Sequence, residues 1–140
     1  MRNLIALVAA GLLLPCGEAL AAAGGLEGRW LTDDGKAIVD LRRCGASLCG
    51  TINEVLDRSP GVPATDIRNP TAALRTRSIV GLPILFGFRS RNGHWIDGTA
   101  YDPKSGRSYR ASLDVQGNDW LKVTGCVLFI CQTKTWTRRP

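Results

Sequence analysis

Period-two alternation, repeated along the chain and cut at short intervals by turn residues, leaves few folds open. Tyr109, Ala111, Leu113 and Val115 alternate with Ser108, Arg110, Ser112 and Asp114. That spacing puts the apolar set on one face of a β-strand. Ala37, Val39 and Leu41 repeat it against Ile38, Asp40 and Arg42; Leu48, Gly50 and Ile52 continue it, and Leu121 and Val123 carry it toward the end. Asp33-Asp34-Gly35, Gly45-Ala46-Ser47, Asn92-Gly93, Asp102-Pro103-Lys104-Ser105-Gly106 and Gln116-Gly117-Asn118 separate the runs. Asn and Gly both tolerate the positive φ of a tight hairpin, and Pro presets the φ that a turn needs. With Arg29 to Thr32, Gly81 to Phe88, His94 to Tyr101 and Gln132 to Arg138 read as strands, the chain carries about eight. Eight antiparallel strands form a sandwich or an up-and-down barrel. Short sequential turns favour the meander, so the expected fold is all-β, an eight-stranded antiparallel up-and-down barrel. Such a barrel has room for packed side chains or one small ligand.

The two ends of the chain suggest how the barrel shuts. Gly28-Arg29-Trp30 opens the first strand and Thr135-Trp136-Thr137-Arg138 lies in the last. Trp30, Trp136 and Arg138 are the expected closure residues. One segment, Asp57 to Ser78, breaks the rhythm and holds Pro60, Pro63 and Pro70. Within this long crossover, Asn69 is expected to cap one short helix that Pro70 begins and Thr71 to Arg77 continue. A crossover of this length is either a functional lid or packing that closes one barrel end.

Met1-Arg2-Asn3, the apolar run Leu4 to Leu14 and the small residues Ala19 to Ala23 read as a signal peptide over residues 1–23, ahead of a single barrel domain over 24–140. The apolar run is shorter than the roughly 20 residues of a membrane-spanning helix. Cys16 raises the question of lipidation, although Pro15 stands where a lipobox wants a small residue. The expected address is therefore exported, periplasmic or secreted. Beyond the leader stand Cys44, Cys49, Cys126 and Cys131. An even count in an exported domain reads as two disulfides. The matched Cys-x4-Cys spacings lean toward Cys44–Cys49 and Cys126–Cys131; crossed bridging and a zinc site are the alternatives. Lys and Arg total 18 against 12 Asp and Glu, a formal net charge of +6. Acidic glycans, lipid head groups or a protein partner could meet such a surface, but the scattered positions favour simple solubility. Export argues against nucleic acid.

Gly28-x-Trp30, Cys44-x4-Cys49-Gly50, Asp66-x-x-Asn69-Pro70, Gly81-Leu82, Tyr101-Asp102-Pro103-x-x-Gly106, Gly125-Cys126 and Trp136-Thr137-Arg138 follow one another in a fixed order. That series resembles the exported bacterial family called domain of unknown function 2147. The resemblance implies a lipocalin-like (calycin) barrel with no established catalytic activity. It also implies that Trp30 forms the barrel floor and Arg138 packs across it, a cation–π contact of about 0.5–2 kcal/mol. The chain is shorter than a full lipocalin and has no room for a long C-terminal helix, which argues for a modest interior.

Little in the sequence points to catalysis. His94 stands alone at a hairpin tip, with no nucleophile and orienting acid to complete a triad. The glycines are spread over turns and form no phosphate loop. Asp97 and Asp102 are the best pair of carboxylates, but Asp102 reads more simply as a turn residue. No cofactor and no metal is expected. Candidate ligand-binding residues are Trp95, Asp97 and Tyr101, which share a strand parity, and Asp66 and Asn69 in the crossover. If the parity of Trp95 and Tyr101 points inward, aromatics and polar groups line the interior, as a small apolar or amphipathic ligand requires. If outward, the interior is smaller. Phe86, Phe88, Trp95, Tyr101 and Tyr109 read most simply as core packing across strands, and Asp66 as paired with Arg68 or another arginine.

Overall fold

The computed structural model describes residues 25–140; the expected signal peptide and the lipidation question at Cys16 lie outside them. Eight antiparallel strands form a closed barrel. They are β1 (Gly28–Leu31), β2 (Ala37–Cys44), β3 (Ser47–Val55), β4 (Pro83–Arg91), β5 (His94–Asp102), β6 (Arg107–Gln116), β7 (Trp120–Val127) and β8 (Ile130–Arg139). Each pairs with its sequence neighbours, and β1 closes the ring against β8 with Trp30 opposite Arg138. Full closure leaves no sheet edge unpaired. The β2–β3, β4–β5 and β6–β7 turns gather at one end with the start of β1 and the end of β8. The other end holds the remaining turns and the crossover between β3 and β4.

Alternation delivers the apolar faces inward. Trp30, Leu41, Leu48, Leu85, Phe88, Leu113 and Leu121 are fully buried and fill the barrel. The outer faces carry ion pairs such as Arg42–Asp40 and Lys134–Asp33. The interior is a packed core, and two glycines make it fit. A Cβ on Gly98 would stand 2.3 Å from the Phe88 ring, and one on Gly50 would stand 2.9 Å from Leu41. Gly98→Ala should therefore overpack the core and lower the unfolding free energy by about 1–3 kcal/mol. Urea denaturation checks this; an unchanged midpoint would mean that Phe88 moves aside freely.

Cys44 joins Cys49 and Cys126 joins Cys131. Each bridge staples the strand ends of a short turn, where loop closure contributes about 2 kcal/mol in the chain-entropy picture. The helix expected over Thr71 to Arg77 is a single 3-10 turn, Ala72–Leu74, and Pro70 precedes it instead of beginning it. Asn69 is the reason. Its Oδ1 accepts from the Thr71 N–H while its amide donates to Asp66. A local side-chain turn of this kind competes with helical backbone bonding.

Candidate functional site

The barrel end that carries the chain termini is shut by a strap. Leu26 is buried in the mouth, and the Trp30 indole N–H donates to its carbonyl at 2.9 Å. Arg138 lies over the Trp30 ring, 4.2 Å from its centroid. From there its guanidinium donates to the carbonyls of Gly25 at 2.7 Å, Glu27 at 3.0 Å and Asn118. One arginine thus ties the strap, the floor and the β6–β7 turn together.

Two clefts flank Leu26, one of about 240 Å³ and the other of about 270 Å³. Trp95 lines both. The first is completed by His94, Asp114 and Val115, the second by Glu27, Arg43 and Leu48. Arg43 sits 5.1 Å from the Trp95 ring centroid and 3.6 Å from Glu27. His94, expected to be solvated, is exposed but pairs through Nδ1 with Asp114.

The other candidate residues do not meet at this mouth. A β-bulge breaks the strand parity that Trp95, Asp97 and Tyr101 share on paper. Trp95 pairs with Leu113 and Gly98 with Ala111, so Ile96 and Asp97 together face a single residue of β6. Asp97 takes φ +57° there, a conformation that Asp tolerates better than most side chains. Trp95 therefore shares a face with buried Leu113, whereas Tyr101 falls on the opposite face from Ala100. Asp97 points outward between Arg89 and Arg110. The Arg89 hydrogen bond holds its carboxyl below the usual carboxylate range despite some desolvation. Phe86, read as core, is an exposed outer-face residue, while Phe88 is buried.

Tyr101, Asp66 and Asn69 do converge, beneath the crossover. Asp66 is fully buried. It accepts from the Tyr101 hydroxyl at 2.6 Å, the Asn69 amide at 2.8 Å and Arg77 at 3.1 Å. Its arginine is Arg77, not the neighbouring Arg68. Burial pushes its carboxyl up, but these three donors outweigh burial and leave it lowered. Burial first, and then the bond to Asp66, push Tyr101 up to about 12. The crossover is pinned further at Gly106, whose Cβ position lies only 2.0 Å from the Arg68 carbonyl oxygen. With both carboxylate oxygens accepting hydrogen bonds, this cluster is a buried latch for the crossover.

Two features escape the alternation argument. Trp136 is buried in the barrel, and its indole N–H has no partner among the described residues. Val127, Leu128, Phe129 and Ile130 form an exposed apolar hairpin tip. Four consecutive apolar residues inside a Cys-x4-Cys staple, where a turn is normally polar, are the sequence signal for it.

An antiparallel meander of eight strands, shut by a tryptophan on the first and an arginine on the last, is a lipocalin-like barrel. The chain belongs to the bacterial family described as "Uncharacterized protein conserved in bacteria (DUF2147)", which it matches over residues 28–138. It is similar to the solved structure of protein HP1028 from the human pathogen Helicobacter pylori, described as belonging to the lipocalin family. The two share 22% identity over 84% of each chain, with a TM-score of 0.74. At that identity the likeness establishes a common barrel. No curated protein matches the chain.

Proposed function

We propose that this protein is an exported lipocalin-like binder of a small amphipathic molecule, taken up at the mouth where Trp95 meets the Leu26 strap. The observation that carries the reading is the position of Trp95, an aromatic face bordering both clefts beside a packed core. The ligand's apolar part lies on Trp95 and Leu26, and an anionic group faces Arg43. The volumes bound its size. They exceed a cavity that holds benzene, about 150 Å³, and fall short of drug-sized pockets, which begin near 300 Å³. A ligand of one or two rings fits. The two disulfides support an oxidising, exported address.

The probe is 1-anilinonaphthalene-8-sulfonate, an aromatic anion read by its own fluorescence. It should bind saturably, and both Arg43→Ala and Trp95→Ala should weaken it by roughly tenfold, about 1.4 kcal/mol. Arg43 is largely exposed, so its variant tests the mouth even if the Trp95 variant folds poorly. Binding that neither variant alters would place the dye elsewhere and defeat the reading.

A further inference from the structure

The β7–β8 hairpin ends in an apolar tip with nothing against it among the described residues. Val127 is 54% exposed, Leu128 89%, Phe129 100% and Ile130 76%. Turns in water-facing barrels normally carry polar residues or glycine, and Leu128 even takes φ +53° to make this one. The tip does not fray, because Cys126 and Cys131 are bonded immediately behind it. It projects from the crossover end, opposite the Trp95 mouth, so it is independent of the ligand reading above.

Size and shape choose its occupant. A stable protein–protein interface takes about 20–30 residues from each side. Four side chains on a convex knob fall well short of that. A bilayer sets no such minimum, since interfacial binding scales with the apolar area inserted plus attraction to anionic lipid.

The charge around the knob suits such a surface. Arg110 pairs with Cys126 in the strand register, and Arg107 begins the same strand three residues nearer this end of the barrel. Among the described residues Arg107 has no acidic partner, and Arg110 shares Asp97 with Arg89. At this end Asp33 pairs with Lys134 and Asp34 with Lys104, whereas Asp102, opposite Arg107 in the β5–β6 register, accepts from the Lys104 N–H and the Ser105 hydroxyl. The apolar knob therefore stands beside a small excess of positive charge, since Arg89 and Arg110 share the one carboxylate of Asp97. A disulfide-fixed tip also loses little freedom on insertion.

We propose that the Cys126–Cys131 hairpin tip is a membrane-docking element that inserts Leu128 and Phe129 into the headgroup boundary of an anionic phospholipid bilayer. The experiment is vesicle co-sedimentation with the chain from Gly24 onward, so that the expected leader cannot bind lipid by itself. Vesicles of phosphatidylglycerol and phosphatidylethanolamine should carry the protein down, and pure phosphatidylcholine should retain much less. The double variant Leu128→Ser/Phe129→Ser should lose roughly tenfold or more in partitioning. Its near-ultraviolet circular dichroism should be unchanged, because both side chains are free of the core. Arg107→Glu should weaken binding to the anionic vesicles alone. Wild-type protein that ignores the vesicles, or a double variant that binds them equally, would overturn the proposal. So would a wild-type dimer in sedimentation velocity that the double variant abolishes without any vesicle binding, because the tip would then dock a second copy of the chain.

Discussion

Trp30→Ala is expected to lower the unfolding free energy by about 3–5 kcal/mol, the cost of removing a large buried aromatic from a core that cannot collapse onto the space. Trp30 is fully buried and does three jobs at once. It fills the floor of the barrel, donates its indole N–H to Leu26, and carries the guanidinium of Arg138 on its ring. The loss should therefore reach beyond the floor. Without the indole donor and the ring, both the Leu26 strap and Arg138 lose their seats, and residues 25–28 should become the first site of proteolytic nicking. Arg138→Ala should cost less, because the cation–π contact itself contributes about 0.5–2 kcal/mol, although three carbonyl bonds go with it. A double-mutant cycle on the pair should show coupling of about 1 kcal/mol or more, since each side chain acts largely through the other. Urea denaturation of the four proteins measures all of this. Additive losses would mean that Arg138 holds the strap without help from Trp30, and a Trp30→Ala loss under about 1 kcal/mol would mean that the floor relaxes to fill itself.

The closed meander was legible because it rests on local rules. Period-two faces, Asn-Gly and Gly-rich turns and the cysteine spacing each act within about ten residues, and all of them agree. The ring closure was legible for a different reason. Trp30 and Arg138 lie far apart in sequence, but both ends of the chain carry unusual side chains, and a meander of eight strands brings its ends together. The candidate site was less legible. Alternation assumes an unbroken ladder, and one extra residue at Asp97 inverts the parity beyond it. Nothing in the residues around Asp97 announces a bulge, because the glycine that usually marks such a site stands one position later, packed under Phe88. Alternation alone puts Trp95 and Tyr101 on one face, whereas the bulge sends them to opposite faces. Leu26 carries no sequence signal either, since a single leucine outside a strand has no period. Its role exists only because a buried indole and a distant arginine hold its backbone.

Asp66→Ala should destabilise the protein by about 3–5 kcal/mol, because it leaves the Tyr101 hydroxyl, the Asn69 amide and one side of Arg77 facing a buried gap. The damage should be local at first. Asp66 also bonds through its backbone to Arg77, and Asn69 to Asp66, so the crossover is folded around this one carboxylate. Hydrogen exchange should rise across residues 57–82 before it rises in the barrel strands. The latch also has a pH window. The Asp66 carboxyl is lowered in the folded protein, so its contribution is complete above the unfolded carboxylate value of about 3.9. It fades as pH falls through the lower folded value. Tyr101 is raised to about 12, so its contribution is complete below the unfolded tyrosine value of about 10. That contribution fades as pH rises through about 12. Asp34 and Asp57, each lowered to about 2 by its own partners, add acid sensitivity of their own. The informative quantity is therefore the difference between wild type and Asp66→Asn, which keeps the shape of the side chain and removes its charge. Between neutral pH and about pH 5 the wild type should be the more stable, and the gap should narrow below about pH 4 as its carboxylate takes up a proton. A gap that stays constant down to pH 2 would show that the donors around Asp66 recognise its shape and not its charge. The crossover would then be held by packing against Tyr101 instead of by the buried carboxylate.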